Sequence, residues 1–215
     1  MVDWSKIDTV LLDMDGTLLD LEFDNVLWNQ HLPERFARHR GLTTDAARDH
    51  LYAHMRDTRA RLEFYCLDYW ARFTMLDVLG LHRELRHLIR YRPQAREFVA
   101  RLHHAGKRAV LVTNAHRASV TIKDEVTGLL ATLHRAVSSH DFELPKEDPA
   151  FWLRLKEVEP FDPARTLLID DNADVLDSAH THGIHHLRTI AQPDSARPPR
   201  EQLRHVAVRF DEIMP

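Results

Sequence analysis

With 215 residues, 44% of them hydrophobic and 29% charged, the chain has the makeup of an ordinary folded protein and not of a disordered or collagenous one. The length suits one large core, or a core with a small insertion, and a formal net charge of −4 offers no bulk attraction to a nucleic-acid backbone, so no nucleic-acid partner is expected. No apolar run approaches the roughly 20 residues of a membrane span and the amino terminus lacks a signal-peptide layout, so a cytoplasmic protein without a membrane partner is expected.

The first strand is predicted at Val10 to Leu12, and it runs directly into Asp13-Met14-Asp15-Gly16-Thr17. Two carboxylates at the carboxyl end of a buried strand lie where open α/β sheets bind ligands. Neighbouring acids resist joint ionisation in a dry pocket, so the pair calls for a cation, and Mg²⁺ is the natural candidate. From Leu21 to Ile89 the sequence has no strand-like run and is rich in helix formers, which predicts an all-helical insertion spanning residues 21–90. Its aromatic residues Trp28, Phe64, Tyr65, Tyr69 and Trp70 read as that unit's own core, and Arg56, Arg59 and Arg61 as a solvated face. The single cysteine, Cys66, has no partner for an internal disulfide and reads as a buried thiol.

Beyond residue 90 strands and helices alternate. Helices are predicted over Pro93–Ala105, Ala118–Leu130, Pro149–Glu157 and Asn172–His182, and strands over Ala109–Thr113, Arg135–Ser138, Thr166–Ile169 and Ile184–Ile190. Gly106 and Gly183 stop helices, and Asp148 before Pro149 starts one. Continuous apolar strands predict a parallel sheet covered on both faces. The fold class is therefore α/β: a Rossmann-like, doubly wound core of residues 1–20 and 91–215, with a helical cap inserted after the first strand. The histidines around Gly183 read as solvated groups near a helix end rather than metal ligands. The stretch Gln192 to Pro199 reads as a surface loop before a last short helical segment.

Strand ends or helix starts carry, in chain order, Asp13 with Asp15, Thr113 with Asn114, Lys146, and Asp170 with Asp171. Taken singly, each has a plain reading: a turn, a polar strand terminus, a surface charge, a helix cap. In a parallel sheet the carboxyl ends of the strands point the same way, so together these residues converge on one crevice. The pattern resembles the haloacid dehalogenase superfamily. The stretches Leu11 to Asp20, Tyr65-Cys66-Leu67-Asp68-Tyr69-Trp70, Thr113-Asn114-Ala115-His116 and Pro145-Lys146-Glu147-Asp148 look similar to its GMP/IMP (purine 5′-) nucleotidase subgroup.

The resemblance implies a Mg²⁺-dependent phosphomonoesterase acting on a small phosphate ester, most simply a purine nucleoside monophosphate. It implies Asp13 as nucleophile, forming an aspartyl phosphate, and Asp15 as general acid and then base, a role dehalogenation does not need. Metal would be held by Asp13, Asp170 and the main-chain carbonyl of Asp15, with Asp171 and Asp174 one layer out, orienting Lys146 or its loop. Thr113, Asn114 and Lys146 would hold phosphoryl oxygens. Glu147 departs from the pattern, since many relatives carry proline after the motif lysine. Alternatives are a phosphoglycolate or sugar-phosphate phosphatase, a phosphomutase, and a non-catalytic phosphate-binding module.

Overall fold

A computed structural model describes residues 2–215. Five strands form one all-parallel sheet in the order β3-β2-β1-β4-β5: β1 (Thr9–Leu12), β2 (Arg108–Thr113), β3 (Arg135–Ser138), β4 (Thr166–Ile169) and β5 (His186–Arg188). β1 and β4 are buried along their whole length, because helices cover both sheet faces. The last strand is shorter than its apolar run predicts: only His186–Arg188 pairs, and Ile184 and Ile190 are buried flanking residues.

Between β1 and β2 the chain is helical: α1 (Glu22–Val26), α2 (Leu32–Arg40), α3 (Thr44–Thr58), α4 (Leu62–Tyr65), α5 (Leu67–Thr74) and α6 (Val78–Glu84). A π-helical turn, Leu27–His31, joins α1 to α2 just ahead of Pro33. Proline lacks an N–H and its ring crowds the preceding turn, so a widened turn is the natural accommodation. The cap does not have a core of its own, contrary to expectation. Phe23, Leu27 and Trp70 belong to the same hydrophobic cluster as Val10, Leu12 and Met14, so cap and sheet share one continuous interior.

The remaining helices are α7 (Ala95–His104), α8 (Arg117–Thr127), α9 (Pro149–Val158) and α10 (Ala173–Thr181). Asp148 caps α9 by accepting from the Ala150 N–H at 2.8 Å, with Pro149 at the first helical position. The segment after β5 does more than cover surface. Its Pro193 carbonyl accepts from the Leu21 N–H, and its Ser195 N–H donates to Asp20, so it fastens the point where the chain enters the cap. Arg90, at the exit from the cap, reaches both Ser195 and Glu22.

Candidate active site

Sheet register builds the floor of the site. Leu12 is level with Ile169 on β4, so Asp13 and Asp170 leave adjacent parallel strands side by side. Between them stands the Lys146 ammonium, 2.5 Å from Asp13 Oδ1, 2.7 Å from Asp170 Oδ2, and 3.0 Å from the Val112 carbonyl. All three side chains are almost wholly buried. Burial pulls the Lys146 pKa down, but the two carboxylates outweigh it and the net shift is upward, so the amine is held charged.

One oxygen from each of Asp13, Asp170 and Asp171 lies within 4.8 Å of the others. Burial pushes all three acids above the ordinary carboxylate range, Asp171 to about 6. Lys146 opposes this on Asp13 and Asp170, and the Arg200 guanidinium, 2.9 Å from Asp171, opposes it there. Two buried acids and a mostly buried third against one lysine and a partly exposed arginine leave a deficit of positive charge, and hard oxygen donors at this spacing fit Mg²⁺. Sequence reasoning puts Asp171 one layer outside; the structure brings its carboxylate into the cluster itself. Asp174 does not orient Lys146. It is half-exposed, pairs with Arg204 and, at 3.3 Å, with Arg59, and so belongs to the rim.

Gly16 shows why this loop demands glycine. Its φ is +80°, and a Cβ there would come within 2.8 Å of the Asp171 carboxyl carbon and 2.9 Å of Pro193 Cβ. Thr113 is buried at the end of β2, and its Oγ1 accepts from the Ala115 N–H at 3.0 Å, which leaves its own proton free to donate. Asn114 braces the lysine loop: its Oδ1 accepts from the Lys146 N–H at 2.9 Å and its Nδ2 donates to Glu147 at 2.9 Å. Glu147 is a second brace of this loop. Its carboxylate also accepts from Asn172 Nδ2 at 3.1 Å and from the Tyr65 hydroxyl of the cap at 2.5 Å. Burial, and after it Glu147, raises the Tyr65 pKa, so the phenol keeps its proton.

Above this floor lies a cavity of about 350 Å³, roofed by the cap through Trp28, Phe64, Leu67 and Trp70 and edged by Asn25, Asn29 and His82. The volume falls in the range of small-molecule sites, roughly 300–1,000 Å³. Trp28 and Trp70 pack with centroids 5.4 Å apart, at once core and cavity wall, whereas Tyr69 stacks on His54 and is absent from the wall. Cys66 is half-buried rather than buried, and is grouped with His116 and His140.

Sequence reasoning misses Lys123 altogether. This α8 residue is 1% exposed and its side chain donates to Asp15 Oδ1 at 2.6 Å and to both oxygens of Asp24, at 3.0 and 2.9 Å. The signal was in the helix: Lys123 follows Ser119 and Val120 by four and three residues, on the face that α8 buries. Asp15, with its carboxyl pushed up by burial and by Asp24 against the pull of Lys123, thus stands apart from the Lys146 cluster.

Comparison with known proteins agrees with this architecture. A family model described as haloacid dehalogenase-like hydrolase matches residues 7–183. The GMP/IMP nucleotidases YrfG of Escherichia coli (strain K12) and Shigella flexneri are each 38% identical over 204 residues, which cover 95% of this chain and 92% of theirs. The structure of a HAD phosphatase from Thermococcus onnurineus matches with a TM-score of 0.79 at 19% identity, covering 96% of this chain and 95% of that one. A putative beta-phosphoglucomutase from Thermotoga maritima matches at 0.67 and 17%, covering 97% of each chain. At such identities the structural matches speak for the fold, while the family model and the sequence relatives speak for descent. The chain belongs to the haloacid dehalogenase-like hydrolases and is an enzyme of the phosphoric monoester hydrolase type.

Proposed function

We propose that the enzyme is a Mg²⁺-dependent 5′-nucleotidase that hydrolyses GMP and IMP through a phosphorylated Asp13. The observation that carries this reading is the single hollow in which Asp13, Lys146 and Asp170 form the floor, Asp15 a side, and an aromatic cap the roof. Asp13, Asp170 and Asp171 would hold the metal, which when bound offsets the charge between an attacking carboxylate and an anionic phosphate. Asp13 attacks phosphorus and the ester oxygen leaves. Asp15 hands a proton to that oxygen and then takes one from the water that frees Asp13. Lys146 favours the ionised form of Asp13 against its burial and, with the Thr113 hydroxyl, stabilises the phosphoryl oxygens as charge moves onto them.

Support for a 6-oxopurine comes from the cavity wall. Tyr52 donates to Asn29 Oδ1 at 3.0 Å, Asn29 Nδ2 donates to Asn25 Oδ1 at 3.3 Å, and Asn25 Nδ2 donates to the Asp194 carboxylate at 2.7 Å. A carboxylate only accepts, so the chain runs in one direction and both amides present a second N–H. Guanine and hypoxanthine offer acceptors at O6 and N7, whereas adenine places an amino donor at position 6. The nucleotidase relatives at 38% identity support the same substrate. Phosphate release should be measured with Mg²⁺ on GMP, IMP, AMP, phosphoglycolate and a sugar phosphate. GMP and IMP are expected to lead; equal turnover of AMP removes the 6-oxopurine reading, and silence across the panel removes the phosphatase reading.

A further inference from the structure

We infer that Lys123 is the positioning residue for Asp15, and that it ties the aim of this acid to the seating of the cap's first helix; the inference rests on the acid–base role proposed for Asp15.

The ammonium of Lys123 is caged. Asp15 Oδ1 takes it on the core side, both oxygens of Asp24 take it on the cap side, and the Phe23 ring lies 5.0 Å from it. Two of these three partners come from α1, just after the point where the chain enters the cap. A carboxyl that must deliver a proton to a departing ester oxygen needs one oxygen held and the other free. Lys123 holds Oδ1, and among the described residues no side chain or backbone group bonds Oδ2, although Asp15 lines the cavity. The lysine is itself on α8, which packs against cap helix α6. The ion triad therefore lies in the seam between cap and core, and Asp24 anchors the lysine only while α1 is docked.

A purely structural ion pair would make no distinction between substrates. A positioner of the general acid would, because an alkyl ester needs its leaving oxygen protonated and p-nitrophenyl phosphate does not. The ratio kcat/KM covers the steps up to phosphoenzyme formation, so it isolates the acid role from the later base role. The experiment compares kcat/KM for IMP, or whichever alkyl ester the release panel identifies, with that for p-nitrophenyl phosphate, using Lys123→Met, Lys123→Arg, Asp24→Asn and Asp15→Asn.

For the alkyl ester Lys123→Met is expected to lower kcat/KM by about 100-fold, the lower end of what a general acid contributes, and to lower it far less for the aryl ester. Asp24→Asn is expected to show the same selectivity at about 10-fold. Lys123→Arg, which keeps the charge and donors, is expected to recover part of the alkyl rate. An equal fall for both esters in a folded Lys123→Met overturns the inference; should that variant fail to fold by thermal melting, Asp24→Asn decides, and equal effects there overturn it. Asp15→Asn separates the two levels. If it lacks the ester selectivity, the acid role itself falls; if it has it while Lys123→Met and Asp24→Asn lack it, only the role of Lys123 falls.

Discussion

Two buried lysines divide the site between them. Lys146 and Lys123 are each pincered by two carboxylates, Asp13 with Asp170 in one case and Asp15 with Asp24 in the other, and the side chains of both are 2% exposed. Their surroundings differ. Lys146 stands over strand tips, so every group it touches belongs to the sheet core. Lys123 stands in the seam between α8 and the cap. The first corner has the donors proposed to hold a metal and phosphoryl group; the second holds the carboxyl proposed to carry the proton, and it depends on the cap being in place.

The contrast breaks first at Asp13. Asp13→Asn keeps the shape and removes the proposed nucleophile, so kcat should fall by about 10⁴-fold or more for alkyl and aryl esters alike. Lys146→Met should also be blind to the leaving group, with a loss of about 10²–10³-fold. It strands two buried acids, so urea unfolding should show a cost of about 3–5 kcal/mol. A leaving-group dependence for Lys146→Met like that expected of Lys123→Met would show the two corners to be one functional unit.

Metal removal is the next probe. Chelation should abolish turnover, and Mg²⁺ should restore it. Mg²⁺ should also raise the melting temperature, because binding to the folded state alone stabilises it. That rise should vanish in Asp170→Asn and persist in Asp24→Asn. Loss of the thermal shift in Asp24→Asn would place the metal in the wrong corner.

The same division explains what could be read from the chain. The Lys146 corner is legible because strand ends punctuate the sequence: Leu12 and Ile169 each hand over to an aspartate, and a parallel sheet brings those ends together. The seam is not legible, because Lys123 meets Asp24 only through the packing of α8 against cap helices, and a lone lysine in a helix is ordinarily a surface charge. The place of Asp174 is hidden for a related reason. Its position in the first turn of α10 fits an inner role, but its partners Arg59 and Arg204 come from distant segments that no local pattern connects. The cap's shared interior was missed likewise: aromatic spacing reveals a buried face, not what it is buried against.

A smaller effect is expected where the cap touches the lysine loop. Tyr65→Phe removes the cap's hydrogen bond to Glu147 while the Asn114 and Asn172 bonds remain. KM should rise several-fold, about 1 kcal/mol for one hydrogen bond to a charged acceptor partly replaced by water, with kcat nearly kept. A collapse of kcat would show that this contact belongs to the Lys146 machinery and not to cap docking.

The last effect expected is on stability against pH, where the seam has a contribution of its own. His82, on α6, is 1% exposed, donates from Nδ1 to the Val78 carbonyl at 2.9 Å, and packs edge-on against Phe23. Since a carbonyl only accepts, Nδ1 carries the proton there. Burial, with Lys123 adding to it, takes the pKa from 6.5 down to about 4 against the raising effect of the Val78 bond. A base whose folded value is depressed binds protons more readily when unfolded. Its contribution is therefore whole above pH 6.5 and is lost as the pH falls from there toward 4, reaching about 3 kcal/mol from the size of the shift. The raised carboxylates of both corners act in the opposite sense, so the net pH profile does not isolate the histidine. The difference between the wild type and His82→Met does. Measured by urea unfolding at neutral pH and at about pH 4.5, the acid-induced loss should be smaller in the variant by about 2 kcal/mol. An identical loss in both would mean that the imidazole is solvated in the folded enzyme, and that the seam around Lys123 is looser than its packing implies.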